Sequence, residues 1–130
     1  MPGETEPIRP WKAWIERADE DYLLALSAIR RKAPLTYGAT FHAQQCIEKF
    51  LKALLISQQI AFPRTHDLAA LGYLCQRAGI ILPISDDALE LITTYAVETR
   101  YPGTQPTLDE SKEAIRMARI MRQFIKKTLS

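Results

Sequence analysis

The chain has few of the residues on which metal binding, redox chemistry and proton transfer depend. Its 130 residues include two cysteines, two histidines and five glycines. Cys46 and Cys75 have no partners at the spacing of a metal site, and both lie in patterns typical of a helix interior. We therefore expect reduced structural thiols in a cytoplasmic protein, with neither a metal nor a cofactor.

Signatures of common enzymes and of membrane proteins are missing as well. No glycine-rich loop is followed by Lys-Ser or Lys-Thr, the histidines lack zinc spacing, and no Gly-x-Ser-x-Gly elbow occurs. The apolar runs are much shorter than the roughly 18 residues that a membrane span needs. The sequence therefore predicts no membrane segment and offers no familiar catalytic motif.

Composition favours one globular domain over residues 1–130. A chain of this length with 47% hydrophobic residues can bury one core, whereas two domains would each be too small. The net charge of +2 is only mildly basic, so the overall charge does not require a nucleic-acid partner. Residues 1–9 are acidic and contain proline, and we expect them to form a flexible lead-in.

Between the proline and glycine breaks, apolar residues recur at helical rather than alternating spacing. This pattern predicts helices over about 10–32, 36–59 and 65–78, a fourth that starts at Ser85, and a last long helix. Short connections favour antiparallel neighbours, so we expect an all-α, four- or five-helix antiparallel up-and-down bundle. Residues suited to starting or ending these helices are Thr36 or Thr40, Thr65, Gly79, Ser85 and Thr107.

The second predicted helix carries two different faces between Phe41 and Leu55. Its apolar face consists of Ile47, Phe50, Leu51, Leu54 and Leu55. Gln45, Glu48 and Lys52 fall on another side. One interpretation of this polar row is a solvated face with an i,i+4 ion pair worth about 0.3 kcal/mol. The other interpretation is that this polar row forms a functional site.

Charge is unevenly distributed between the first and last helices. The first helix has acids opposite its apolar stripe, namely Glu16, Asp19, Glu20 and Asp21. The last helix has bases at near-helical spacing, namely Lys112, Arg116, Arg119, Arg122, Lys126 and Lys127. The basic face is suited to phosphates, to the acidic first helix, or to keeping the protein soluble. Because no aromatic residues are interleaved with these lysines and arginines on the basic face, a dedicated surface for single-stranded RNA is only weakly supported.

Three segments together carry a resemblance to a known family. They are Phe41–Leu55, the stretch THDLAAL at Thr65–Leu71, and Arg100-Tyr101-Pro102 before the last helix. Their order and spacing resemble the HEPN domain family of small all-helical proteins. Short members of that family often pair with a minimal nucleotidyltransferase in a toxin–antitoxin-like complex. The resemblance therefore implies a homodimeric module that binds an ATP-like nucleotide, such a partner protein, or both.

Many HEPN proteins are metal-independent ribonucleases whose site is an arginine followed a few residues later by a histidine. The arginine that matches in context is Arg100, but no histidine follows it, and Gln105 and Pro106 stand where one is expected. Neither His42 nor His66 has an arginine at the required distance before it. The family's catalytic pattern is absent, so no catalytic residue is assigned and enzymatic activity stays an open question.

The resemblance implies binding rather than catalytic residues. In that role Arg100 grips a phosphate bidentately, and Tyr101 stacks on a base. The structural alternative pairs Arg100 with Glu98 or Glu48 and uses Tyr101 to cover the end of the bundle. His66, after the presumed cap Thr65, is equally suited to a bond with nearby backbone. The candidate nucleotide- or partner-binding residues are Arg100, Tyr101, Lys52, Glu48, Gln45, His42 and His66.

Three hypotheses follow for the function of the chain. The first is a non-catalytic homodimeric module for a nucleotide or a nucleotidyltransferase partner. The second is a divergent ribonuclease toxin in which folding brings His42 or His66 to Arg100. The third is an interaction protein without a small ligand. A homodimer is supported further by aromatic residues that a small bundle does not need to bury, namely Trp11, Tyr22, Tyr37 and Phe41.

Overall fold

A computed structural model describes residues 9–98 and 102–129 of the chain. Within these ranges the chain forms five helices: α1 (Lys12–Ile29), α2 (Thr36–Ser57), α3 (Leu68–Arg77), α4 (Asp86–Glu98) and α5 (Leu108–Thr128). The predicted all-α helical bundle is thus confirmed. The lead-in expected over residues 1–9 falls almost entirely outside the described residues. No helix in the described part of the chain is long and apolar enough to cross a bilayer.

Two helix boundaries lie at the residues that the sequence predicts, Thr107 at the start of α5 and Gly79 after the end of α3. At the start of α5 the Thr107 hydroxyl accepts a hydrogen bond from the Glu110 N–H at 3.1 Å, and the Glu110 carboxylate accepts one from the Thr107 N–H at 2.8 Å. This reciprocal capping box satisfies two amides that the helix itself leaves unpaired. After α3, Gly79 adopts a φ of 85°, which a residue with a side chain rarely adopts.

The starts of α2 and α3 differ from the prediction. The N-cap of α2 is Leu35, which has no capping side chain, and Thr36 is already the first helical residue. Thr40 lies inside the helix and is buried, where its hydroxyl pairs with the Ser111 hydroxyl at 2.9 Å. The expected caps Thr36 and Thr40 are therefore wrong. A short-range preference for threonine at a cap does not override a buried long-range partner.

At α3 the cap lies two residues beyond the one predicted. The Oδ1 atom of Asp67 accepts from the backbone N–H groups of Ala69 and Ala70, at 3.0 and 3.2 Å. The Thr65 hydroxyl accepts from the Asp67 N–H at 3.0 Å and so closes a turn before the helix. Aspartate satisfies two free amides at the helix start with one carboxylate oxygen, which makes it the stronger cap here.

Helix α2 lies at the centre of the bundle and packs against each of the other four helices. Thirteen of its 22 residues are buried, with Phe50 and Leu51 fully enclosed. The beginnings of α2 and α5 lie at the same end, where the Ser111 hydroxyl also donates to the Thr36 carbonyl at 3.1 Å. A helix surrounded in this way has to bury part of its polar row, and this burial creates the site described below.

Two residues of α1 need comment. The charge pattern places Asp21 opposite the apolar stripe, but it is only 6% exposed because its carboxylate is bonded to His42 and Lys49 of α2. Tyr22 lies on the predicted apolar stripe and is buried, so it is not one of the surplus surface aromatics; its hydroxyl accepts from the Arg119 guanidinium of α5 at 3.0 Å. Tyr37 and Phe41 are exposed as expected and stack on each other with ring centroids 6.2 Å apart.

Candidate functional site

The polar row of α2 is a buried ion-pair network and not a solvated face. The Glu48 side chain is 3% exposed, and its Oε2 accepts from the Lys52 ammonium at 3.0 Å. The Lys52 side chain is itself only 11% exposed. Two charges withdrawn from water in this way need each other, because neither has bulk solvent to compensate it. The interpretation as an exposed i,i+4 pair is therefore wrong.

His66 completes this network from the segment that precedes α3. Its Nδ1 lies 2.8 Å from Oε1 of Glu48, while its side chain is 74% exposed. A carboxylate can only accept, so the proton of this bond sits on Nδ1, and Nε2 has no partner within the described part of the chain. The expectation that His66 bonds nearby backbone is replaced by a bond to a carboxylate on another helix.

Gln44 is a further member of the network that was not among the candidate residues. Its amide donates to Oε1 of Glu48 at 3.2 Å and to the His66 carbonyl at 3.3 Å. Its own carbonyl accepts from the side chain of Gln45 at 2.8 Å. The i,i+4 relationship of Gln44 to Glu48 is the one sequence signal that could have identified it. Gln45 thus reaches the network through Gln44 and does not touch Glu48 directly.

A second cluster joins α1 to α2 around Asp21. One carboxylate oxygen of Asp21 lies 2.8 Å from Nδ1 of His42, and the other accepts a short hydrogen bond from the Lys49 ammonium. Both partners are about one-quarter exposed, whereas Asp21 is buried. The structure therefore separates the two histidines into different clusters, each with its own carboxylate. His42 does not join His66 in a single site.

Two aromatic rings also lie close to the Lys52 ammonium. Its Nζ lies 5.6 Å from the ring centroid of Trp14 and 5.7 Å from that of Phe62. The two rings meet edge to face, with centroids 6.4 Å apart. Cation–π attraction therefore adds to the ion pair that holds Lys52. The ammonium is thus engaged by a carboxylate and two rings, and with the side chain only 11% exposed little of it is left for a ligand.

An open groove of about 290 Å³ lies beside Trp14, between α1 and α2. Within the described part of the chain, its lining consists of Ala13, Trp14, Arg17 and Lys49. The groove is connected to the buried network through Trp14, whose ring it shares with Lys52. Neither Trp14 nor Arg17 was among the candidates named from the sequence, because both fit an ordinary amphipathic helix.

The seven candidate residues divide among three places. Glu48, Lys52 and His66 form one connected network, in which Glu48 contacts both of the others, and Gln45 is attached to it through Gln44. His42 lies in the Asp21 cluster. Arg100 and Tyr101 lie outside the described residues. The buried network is thus the part of the candidate site that the structure assembles.

The basic face of α5 is partly neutralised within the molecule. Arg122 donates to the Asp19 carboxylate of α1 at 2.8 Å, and this pairing between the first and last helices is one of the three roles that the charge pattern suggests. Arg116 forms two hydrogen bonds with Glu113 on its own helix, and this contact lowers the pKa of the Glu113 carboxyl. Lys112 makes no ion pair in the described ranges.

The cysteines and the metal-ligating side chains offer little reactive chemistry in the described part of the chain. Burial raises the pKa of the Cys46 thiol well above its ordinary value, and Asp21 and Asp19 raise it further. Burial also raises the pKa of Cys75 from 9.0 to about 12. Both cysteines are therefore protonated and inert at neutral pH. No group of three or more metal-ligating side chains occurs among the described residues.

Comparison with known proteins finds a matching family model and similar solved structures. The family model described as the HEPN domain matches residues 11–128. The crystal structure of TT1696 from Thermus thermophilus is 22% identical, with a TM-score of 0.73 over 94% of this chain and 100% of that one. The structure of ST0689, described as an archaeal HEPN homologue, is 24% identical, with a TM-score of 0.66 over 92% and 98%. No curated protein sequence matches.

Proposed function

Because the chain belongs to the HEPN domain family, we propose that it is a helical module that binds a nucleotide and pairs with a minimal nucleotidyltransferase, without catalysis of its own. In this proposal the two proteins form a toxin–antitoxin-like pair in the cytoplasm, and the module is a homodimer. The two buried thiols, which form no disulfide, are compatible with a reducing compartment.

One observation supports the proposed binding role. The exposed imidazole of His66 is held by a carboxylate that is itself buried and already paired with Lys52. Such an arrangement fixes the direction of Nε2 and so provides an oriented hydrogen-bonding group at the surface. Among the described residues, Glu48 is the titratable side chain bonded to this imidazole, and its other carboxylate oxygen is bonded to Lys52.

Arg100 and Tyr101 complete the proposed binding residues. We assign the phosphate contact to Arg100, since a guanidinium can bind two phosphate oxygens at once. We assign base stacking or hydrogen bonding to Tyr101. Both assignments rest on the match of Arg100-Tyr101-Pro102 to the family pattern.

The experiment that tests nucleotide binding is calorimetric titration of the wild-type chain with ATP, ADP and AMP, accompanied by thermal-shift measurements. We expect saturable binding to at least one nucleotide, weakened in Arg100→Ala and at high salt. Arg31→Ala, which removes the same charge from an exposed position after α1, is the control. Absence of heat and of any shift with all three nucleotides contradicts the proposal.

Pairing with a nucleotidyltransferase is tested by co-expression. If a minimal nucleotidyltransferase is encoded beside this chain, we expect the two proteins to co-elute from size exclusion at a fixed ratio. Light scattering then gives the number of copies of each chain. If the two proteins elute separately at micromolar concentration, the proposed partnership is wrong.

A divergent ribonuclease is the second candidate, and the free Nε2 of His66 is the observation that favours it. In that reaction Nε2 takes the proton of a ribose 2′-hydroxyl, the 2′-oxygen attacks the adjacent phosphorus, and the 5′-oxygen leaves with a proton from water. We expect cleavage of a labelled RNA in EDTA to disappear in His66→Ala and to persist in His42→Ala. If the wild type does not cleave the RNA, the ribonuclease hypothesis is wrong and the binding module is the remaining proposal.

A further inference from the structure

The groove between α1 and α2 combines an aromatic wall with two cations. Ala13 and Trp14 form the apolar part of its lining, and Arg17 and Lys49 form the charged part. Its volume of about 290 Å³ lies at the lower limit of the range typical for sites that hold small molecules. The groove is too small and open to enclose a long polymer, and it suits a single small anionic ligand.

The ring of Trp14 is held in a fixed orientation by its neighbours. Phe62 meets it edge to face, and the Lys52 ammonium lies 5.6 Å from its centroid. Trp14 is half-buried and lines the groove. A fixed aromatic surface costs little conformational entropy when a flat ring stacks on it, so the wall is suited to a nucleobase.

The two cations differ in how they are held. The Lys49 ammonium is anchored by Asp21, which also binds His42, so part of its charge is already neutralised. The Arg17 guanidinium is exposed and makes no ion pair or hydrogen bond within the described ranges. Since Arg17 lies one turn beyond Trp14 on α1, a ligand stacked on the indole has its anionic end within reach of this free guanidinium.

We infer that this groove binds a nucleoside phosphate, with the base against Trp14 and the phosphates at Arg17 and Lys49. The inference rests on the proposed nucleotide-binding function and places the nucleotide on α1 and α2, as an alternative to the contacts assigned to Arg100 and Tyr101. Loss of binding in Arg17→Ala or in Arg100→Ala distinguishes the two placements. Arg17 supplies the main phosphate contact, because a guanidinium can form two parallel hydrogen bonds to phosphate oxygens. Lys49 contributes a second, weaker contact next to its carboxylate partner.

The test compares matched variants by calorimetric titration with ATP. In Arg17→Ala we expect the affinity to fall about tenfold or more, because a charge-assisted contact is lost. Arg31→Ala, an equal loss of charge outside the groove, is expected to keep the wild-type affinity within about twofold. Melting temperatures of both variants verify that the fold is unchanged.

A second measurement reports where the ligand lies. The chain has two tryptophans, so Trp11→Phe leaves Trp14 as the single indole. We expect ATP to quench the fluorescence of Trp14 with the same dissociation constant that calorimetry gives for this variant. A single-stranded RNA decamer carries the same kinds of base and phosphate group in a polymer. It is titrated in parallel and is expected to bind more weakly than ATP.

The outcomes separate this inference from the proposed function. If the wild type does not bind ATP, the nucleotide-binding function itself is wrong, and the groove assignment fails with it. If ATP binds but Arg17→Ala retains full affinity and Trp14 is not quenched, the function stands and this site is wrong. Tighter binding of the RNA decamer than of ATP overturns the assignment to a free nucleotide.

Discussion

The imidazole of His66 and the carboxylate of Glu48 are 2.8 Å apart, although one side chain is 74% exposed and the other only 3%. The bond therefore links the surface of the protein to a charge in its interior. On its inner side the same carboxylate neutralises Lys52. Stability and surface chemistry are coupled at this position, since changes to Glu48 affect both the buried pair and the orientation of His66.

The first prediction concerns removal of the buried negative charge. In Glu48→Gln the Lys52 ammonium stays beside Trp14 and Phe62 without a carboxylate. We expect the free energy of unfolding to fall by about 3 kcal/mol, because an uncompensated buried charge is costly. For a domain of this size the melting temperature falls by roughly 10 °C. Urea unfolding followed by circular dichroism measures the first quantity, and a thermal scan measures the second.

The control for this variant is a carboxylate pair at the surface. Glu113→Gln breaks the Glu113–Arg116 pair, in which both side chains are about half exposed, and is expected to change stability by less than about 0.5 kcal/mol. In the double variant Glu48→Gln with Lys52→Met we expect much of the loss to be recovered. If Glu48→Gln and Glu113→Gln lower the free energy of unfolding equally, Glu48 and Lys52 do not form a buried ion pair.

The second prediction contrasts two glycines inside helices. A Cβ atom on Gly72 of α3 lies 2.7 Å from a methyl group of the buried Leu89, so Gly72→Ala is expected to destabilise the protein by about 1 kcal/mol. A Cβ atom on Gly38 of α2 comes no closer than 3.9 Å to Ala28, so Gly38→Ala is expected to stabilise it by about 0.5 kcal/mol. Denaturant midpoints distinguish these opposite signs, and stabilisation by both changes contradicts the packing at Gly72.

The third prediction is a loss of stability at alkaline pH through Cys75. Burial raises the pKa of this thiol from 9.0 to about 12, so it stays protonated in the folded chain and ionises from about pH 9 upward in the unfolded chain. The unfolded state then binds fewer protons than the folded state, and stability falls as pH rises through this range. At about pH 10 the contribution of Cys75 has decreased by about 1 kcal/mol relative to neutral pH.

Comparison with Cys75→Ala isolates this effect from other titrating groups. Cys46 is buried as well, but it is present in both proteins, so its contribution cancels. We expect the difference in unfolding free energy between wild type and variant to shift by about 1 kcal/mol in favour of the variant between about pH 7 and about pH 10. A difference that does not vary with pH means that the Cys75 thiol titrates equally in both states.

The helices could be predicted because their signals are local. Apolar residues three and four positions apart define one side of each helix, and Thr107 with Glu110 forms a capping box that is readable within four residues. The family resemblance rests on the same kind of short segment. The match of the HEPN model to residues 11–128 confirms the family that these segments indicated.

The composition of the site could be predicted only in part, because its contacts connect distant positions. Glu48 and Lys52 are four residues apart, and their pairing follows from helix geometry. His66 is 18 residues from Glu48, and Lys49 is 28 residues from Asp21, so these bonds depend on how the helices pack. The burial of Asp21 and Lys52 likewise depends on α2 being surrounded, which no single helical pattern indicates.

The last prediction tests the corrected start of α3. Asp67→Ala removes the carboxylate oxygen that accepts from the Ala69 and Ala70 amides, and we expect a loss of about 1 kcal/mol of stability. Thr65→Ala removes one bond to the Asp67 amide in an exposed turn and is expected to cost less than about 0.5 kcal/mol. Asp67→Asn retains an accepting oxygen and is expected to lie between wild type and Asp67→Ala. Chemical denaturation of the three variants gives this order, whereas a larger loss in Thr65→Ala than in Asp67→Ala makes Thr65 the effective cap.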